Sequence, residues 1–340
     1  MPYPLKFYPL YQERIWGSKD FATILNRKEQ PQTESKIGES WEISDNNNQN
    51  QKQQSIISNG FLQGKTINQL RQKYQHTFTG KKINPKNPLN LLVKILYSLD
   101  DLSIQVHPNK QDLIHLPKDA KSKNEMWYVL DSKKDSKIFA GLKSNINFNQ
   151  FINQLNDVNL PTDFFLNHIN TFISKKDFAY DIQAGTIHFL GKNNLILEIQ
   201  ENSDTTYRIH DFNRVDKTTN QKRDLHLKES KICLKNHTVH PKDLSQLQQN
   251  NCKNFINNNY FSSILYKRNN NFHFKKNSYK YHILSILEGT PTITSQFLQE
   301  KANKYSNYLI PSNVDYNLIS NKSYKFLITY PNETNKQLIF

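Results

Sequence analysis

From Leu102 to His107 the chain alternates: Leu102, Ile104 and Val106 are apolar, and Ser103, Gln105 and His107 are polar. In an extended backbone successive side chains point to opposite faces, so the three polar residues share one face of a predicted strand. Pro108 closes that strand, because its ring fixes φ and removes a ladder donor. The same period of two marks residues 38–44, where Trp41 and Ile43 alternate with Ser40 and Glu42. It marks residues 195–200 as well, where Leu195, Leu197 and Ile199 alternate with Ile196, Glu198 and Gln200 and offer Glu198 on the face opposite the leucines. Residues 88–99 are nearly all apolar apart from Lys94. A short continuous run of this kind suits a strand buried on both faces, with Lys94 either snorkelling to solvent or turned toward an anion.

Spacings of three and four replace the period of two in a few places. Residues 67–74 read as a short helix with Thr66 or Asn68 available as its cap. A second helical stretch is predicted around 111–116. Residues 147–177 carry Phe148, Phe151, Ile152 and Leu155, then Phe164, Phe165, Ile169 and Phe172, which describes two short amphipathic helices inserted between strands. Beyond residue 280 the pattern is again β: 281–287, a turn at Glu288-Gly289, then 291–294, 305–310, 318–319 and 324–329. Many short strands separated by turns indicate antiparallel sandwiches or jelly rolls. Two polar stretches punctuate the chain. Residues 46–54 read as a loop, and residues 235–260, rich in Asn and Gln with no clear apolar period, as a domain junction.

The chain has 340 residues, long enough for two packed domains. Its mean hydropathy of −0.77 is low. The deficit comes from Asn, Gln and Lys, while 20 Phe and 17 Tyr supply bulk for real cores. A formal charge of +15 raises the question of nucleic acid or an anionic membrane. Lysines are scattered through every region, without an Arg-rich stripe or interleaved aromatic and basic clusters, and they travel with Asn and Ile as in an A+T-rich genome. We therefore expect no nucleic-acid partner and no membrane partner, and we note that the charge suits a phosphorylated small molecule. Two cysteines, Cys233 and Cys252, form no disulfide framework and no CxxC spacing. With a proline-broken N-terminal segment and no window of transmembrane length, the expected setting is the cytoplasm.

The chemistry begins with Gln105 and His107. A Gln-x-His pair on one strand face is by itself a common solvent-side pattern. Glu125, in the alternating stretch 123–130, and His188, in a glycine turn leading to a strand, change its meaning. Two imidazoles, a carboxylate and an amide form a donor set suited to a borderline ion such as zinc, with room for an oxygen from substrate or water. Trp16 remains open between core and the border of a cleft.

Four blocks in order carry a specific likeness: PLNLLVKILYSLDDLSIQVHPNK (88–110), KNEMWYVL (123–130), AGTIHFLG (184–191) and LEIQENSDTTYRIHDFNR (197–214). Together with RIWG and GESWEIS near the start, they make the sequence resemble the type I mannose-6-phosphate isomerases of the cupin superfamily, in their short bacterial form. The resemblance covers most of the chain. It implies a mainly β protein with two cupin-like jelly-roll domains: a catalytic domain at 1–238 with a helical insertion at about 147–177, and a smaller β domain at 239–340. It implies one Zn2+ per chain, held by Gln105, His107, Glu125 and His188. Gln105 stands where many cupins have the first histidine of HxH, which counts against an iron dioxygenase.

The implied reaction interconverts mannose 6-phosphate and fructose 6-phosphate by proton transfer through an enediolate. Arg208 would stabilise the anion, Glu198 would be the base, and Lys123 a second group for proton transfer or ring opening. Lys94, Ser103 and Arg214 would bind the phosphate, Arg214 standing where the family has a lysine, and Trp16 would border the sugar. His115, His210 and His226 are read as bystanders. The rival reading is a non-catalytic metal-binding protein that binds or senses a sugar phosphate.

Overall fold

The structure, a computed structural model, describes residues 2–27, 35–46, 54–216 and 220–332. It is mainly β. Contacts divide the chain into two compact units, both discontinuous in sequence: Tyr11–Ser40 with Lys94–Ser245, and Met1–Leu10 with Trp41–Val93 and Gln246–Phe340. Sequence reading expected two contiguous domains. By contacts, residues 41–93 group with residues 246–340, a long-range grouping that local periodicity does not reveal.

A sheet of seven strands, most of whose residues lie in the unit built on Lys94–Ser245, runs in the order Leu10–Ser18, Ile37–Ile43, Leu91–Ser98, Asn194–Glu201, Glu125–Ser132, Phe178–Ile182, Lys242–Asp243. A sheet of five strands runs Tyr207–His210, Ile104–Val106, His188–Leu190, Lys137–Leu142, Ile169–Ile173. Trp127, Val129 and Ile196 from the first sheet and Ile104, Val106 and Ile138 from the second belong to one buried apolar cluster. Phe151, Phe165 and Cys233, from the helices Phe148–Gln154, Thr162–His168 and Leu227–Cys233, belong to it too.

The expected helical insertion is only partly helical. Ile169 and Phe172 lie in a strand, because Ile169–Ile173 pairs with Lys137–Leu142 and Ile138 sits opposite Phe172. Leu91–Ser98 is buried along its whole length, as its apolar run requires. Lys94 neither snorkels nor meets solvent: it is 2% exposed.

The other unit holds a five-stranded sheet, Cys252–Asn257, Phe261–Arg268, Tyr324–Pro331, His282–Glu288, Asn307–Ile310, and a four-stranded one, Phe272–Phe274, Tyr316–Ile319, Thr292–Ser295, Leu298–Lys301. Leu284, Ile286, Tyr308, Tyr316 and Phe326 lie in its core. The helix Ile67–Tyr74 starts at Thr66 through a capping box with Gln69. The strand Cys252–Asn257 falls inside the stretch read as a domain junction without apolar period. Only Phe255 and Ile256 of it are buried, so its outward Lys and Asn mask the period. Of the polar run 46–54, residues 47–53 lie outside the described residues; Asp45 and Gln54 at its two sides form a bridge.

Candidate metal and anion site

Gln105 pairs in register with His188 on one side and Arg208 on the other. Directly opposed residues project to the same face of a sheet, with Cβ atoms about 4.5–5.5 Å apart. One row across the five-stranded sheet therefore reads Arg208, Gln105, His188. On the seven-stranded sheet Glu125 opposes Gln200 and Trp127 opposes Glu198. Residues two apart share a face, so Glu125, Trp127, Glu198 and Gln200 look the same way.

The loops are clamped where they deliver the candidate ligands. Gly185, at φ +93°, takes the left-handed backbone that a turn before His188 needs, and its N–H donates to the His107 carbonyl at 2.8 Å. The Ala184 N–H donates to Asn124 Oδ1 at 2.9 Å, and Asn124 Nδ2 donates to Glu201 Oε2 at 2.8 Å. Asn124 thus ties the residue before Glu125 to the turn before His188.

The donor atoms face inward in a defined protonation state. His107 Nδ1 lies 3.0 Å from the Thr205 carbonyl and His188 Nδ1 lies 2.8 Å from the Thr186 carbonyl. A carbonyl only accepts, so both Nδ1 atoms carry the proton and both Nε2 atoms present lone pairs. Burial, with Lys123 adding to it, pushes the His107 pKa down to about 3, and burial lowers that of His188. The two Nε2 atoms are 3.2 Å apart, and each is 3.4 Å from an oxygen of Glu125. Neither Glu125 oxygen accepts a hydrogen bond of regular geometry. Burial raises the Glu125 pKa, but Lys123 and then His107 outweigh it and hold the carboxyl well below the usual range.

Lone pairs and a carboxylate converging in a dry space repel one another unless a cation lies among them. The Lys123 ammonium sits beside the cluster, 2.9 Å from Glu125 Oε2 and 3.1 Å from His107 Nε2. His107, Glu125 and His188 offer ligand atoms within 4.8 Å of one another. Gln105 Nε2 is 3.2 Å from His188 Nε2, and a half-turn of the amide presents its oxygen instead. The donor set fits a metal ion.

Next to this cluster lies a buried charge network. Glu198 Oε2 accepts from Trp127 Nε1 at 3.0 Å. Lys94 Nζ lies 3.5 Å from Glu198, 3.7 Å from Glu39 and 3.4 Å from Asp204. Burial, with the Glu125 charge, lifts the Glu198 pKa to about 7 against the pull of Lys123 and Lys94. Glu39, Asp204 and Trp127 were not singled out in the sequence. Trp127 carried a signal, standing two residues from Glu125 and hence on its face.

At the other end of the row, Arg208 donates from Nη1 to the Asp224 carbonyl at 2.7 Å, while its buried Nε has no hydrogen-bond partner. Burial, then the neighbouring Arg223 and Arg214, lower its pKa. Arg214 donates to the Asp101 carbonyl and ion-pairs with Asp211. Ser103 is buried two residues beyond Asp101. Trp16 is 4% exposed, within the apolar core, and Gly38 lies so close that a Cβ there would fall 2.5 Å from its ring. His226 Nδ1 accepts from the Arg208 N–H at 3.1 Å, and His210 Nε2 lies 3.0 Å from Thr162 Oγ1.

The family model for the phosphomannose isomerase type I catalytic domain matches residues 5–140. The chain is 31% identical to the probable mannose-6-phosphate isomerase GmuF of Bacillus subtilis, over 97% of this chain and 100% of that one. It is 34% identical to the mannose-6-phosphate isomerase ManA of the same organism, over 72% and 74% of the two chains. Its fold is similar to a solved mannose 6-phosphate isomerase from Bacillus subtilis, with a TM-score of 0.81, 24% identity and coverage of 96% and 99%.

Proposed function

The chain belongs to the type I phosphomannose isomerase family, an aldose–ketose isomerase family, and on that premise we propose that it interconverts mannose 6-phosphate and fructose 6-phosphate with one zinc ion per chain. The observation that carries the metal is the convergence of two neutral Nε2 atoms and an unsaturated carboxylate. Gln105, His107, Glu125 and His188 are the assigned ligands. One carboxylate among three neutral donors leaves a divalent ion with net positive charge. Such an ion supplies Lewis-acid polarisation of the sugar carbonyl and charge compensation for an anion.

The protein does the rest. Glu198, held by Trp127 and Lys94, takes the proton from C2 and returns it to C1, and a pKa near 7 suits a group that both accepts and donates. Lys123, whose ammonium lies 2.9 Å from Glu125 Oε2, is assigned to moving protons on the sugar oxygens. Arg208, unable to act as a base, stabilises the enediolate charge. Arg214 and Ser103 are assigned to the phosphate. Lys94, enclosed by three carboxylates, is assigned to holding Glu198 in preference to contacting phosphate. Trp16 shapes the site from the core. All these residues lie in one compact unit, and both sandwiches are read as cupin-like jelly rolls.

The test is a coupled isomerase assay on protein stripped with a chelator. Turnover is expected to vanish and to return with zinc at one equivalent. Full activity in a preparation free of divalent metal would refute the assignment. Tight sugar-phosphate binding without turnover by zinc-loaded protein would favour the non-catalytic alternative.

A further inference from the structure

We infer that Arg223 is a phosphate-binding residue of this site, joined to Arg214 by a shared carboxylate. The inference rests on the proposed isomerase reading and adds a residue to it. Arg223 follows a short hairpin, Val215–Asp216 with Gln221–Lys222, where nothing in the sequence pattern marks it.

Asp211 organises the cluster. Its Oδ1 accepts from Arg214 Nη2 at 2.5 Å and from Arg223 Nη2 at 2.5 Å, while its Oδ2 accepts from Arg223 Nε at 2.8 Å. Asp211 is 6% exposed, and the two guanidinium side chains are 21% and 20% exposed. One buried carboxylate therefore fixes two partly open guanidiniums in place. Arg208 is the third, and both others press on it electrostatically. Against the three stand Asp211 and Asp224, so the cluster keeps one net positive charge.

Arg214 is also committed to the Asp101 carbonyl and stacks over Phe212, 5.2 Å from the ring centroid. Arg223 Nη1, by contrast, makes no hydrogen bond among the described residues. Like charges crowded in a partly buried space favour a dianion, and a guanidinium anchored on one edge presents its other edge as a fixed fork for phosphate oxygens. Arg208 is the register partner of Gln105, so the cluster begins one strand from the metal donors. A hexose phosphate needs the same arrangement: the reacting C1 and C2 at one end and the phosphate at the other.

The experiment compares the wild type with Arg223→Ala and Arg223→Lys, both zinc-loaded and checked by circular dichroism. Steady-state kinetics with mannose 6-phosphate would be read beside calorimetric titration with inorganic phosphate. For Arg223→Ala, KM is expected to rise about tenfold to a hundredfold with kcat changed far less, and phosphate binding to weaken in parallel. Arg223→Lys should recover part of both. A KM and a phosphate affinity within about twofold of wild type in Arg223→Ala would overturn the inference, as would a loss confined to kcat. Absence of turnover in the wild type itself would sink the isomerase reading, while the phosphate titration would still decide the role of Arg223.

Discussion

Buried polar groups in the two units, Arg71 and His282 in one and His107 and His188 in the other, are handled in opposite ways. In the unit that includes Trp41–Val93, Arg71 is 1% exposed and each guanidinium nitrogen has a partner: Nε donates to Asp45 at 2.6 Å, Nη1 to the Pro85 carbonyl at 2.7 Å and Nη2 to Asn68 at 3.0 Å. His282 in the same unit is buried against aromatic rings and meets Tyr316 Oη at 3.2 Å, with burial pushing its pKa down to about 3. In the other unit His107 and His188 are just as buried, yet their lone pairs converge on a carboxylate. Burial of a polar group does not identify a site. A single buried atom without a hydrogen-bond partner does not either, since Arg268 Nε in the first of these units is one; several lone pairs and a carboxylate converging on one point do, because their mutual repulsion is relieved by a bound cation.

The sharpest way to break this contrast is His188→Ala. It should drop bound zinc, measured by atomic absorption, and reduce turnover to background. A variant that kept stoichiometric zinc and activity would erase the distinction between the two histidine environments. Glu198→Gln should keep the metal and lower kcat on the order of a thousandfold. The wild-type pH profile sharpens the same point. A base acts ionised and burial raises its pKa, so kcat/KM should climb as pH rises through about 7 and then level off. Lys94→Gln removes a charge that lowers this pKa and should shift the rising limb to higher pH. Arg71→Leu should touch none of this. It should cost about 3–5 kcal/mol in denaturant unfolding by stranding Asp45, with KM and zinc content unchanged in the folded fraction. A large kinetic effect there would show that this paired charge also serves the chemistry.

Much of the site was legible because strands impose a period of two. Gln105 and His107 were readable as one face from six consecutive residues, and the helix at 67–74 from its cap. Glu125 and His188 joined Gln105 and His107 as donors from their own alternating and glycine-turn stretches, while the roles of Glu198 and Arg208 became readable through the family resemblance of their blocks. Arg223 and Asp204 were not, since each gains its meaning from a partner far along the chain or in a loop without periodicity. The strand Cys252–Asn257 was missed because its solvent side is too polar to show alternation.

Sequence by itself determined the mainly β architecture, the family and the residue types of the candidate metal site, since periodicity and ordered blocks are properties of the linear chain. Tertiary structure alone decided that the units are discontinuous, that Lys94 is surrounded by carboxylates, and that one aspartate binds two arginines. Those facts depend on which strands become neighbours and on the loss of water between them, and neither is written in any local stretch of residues.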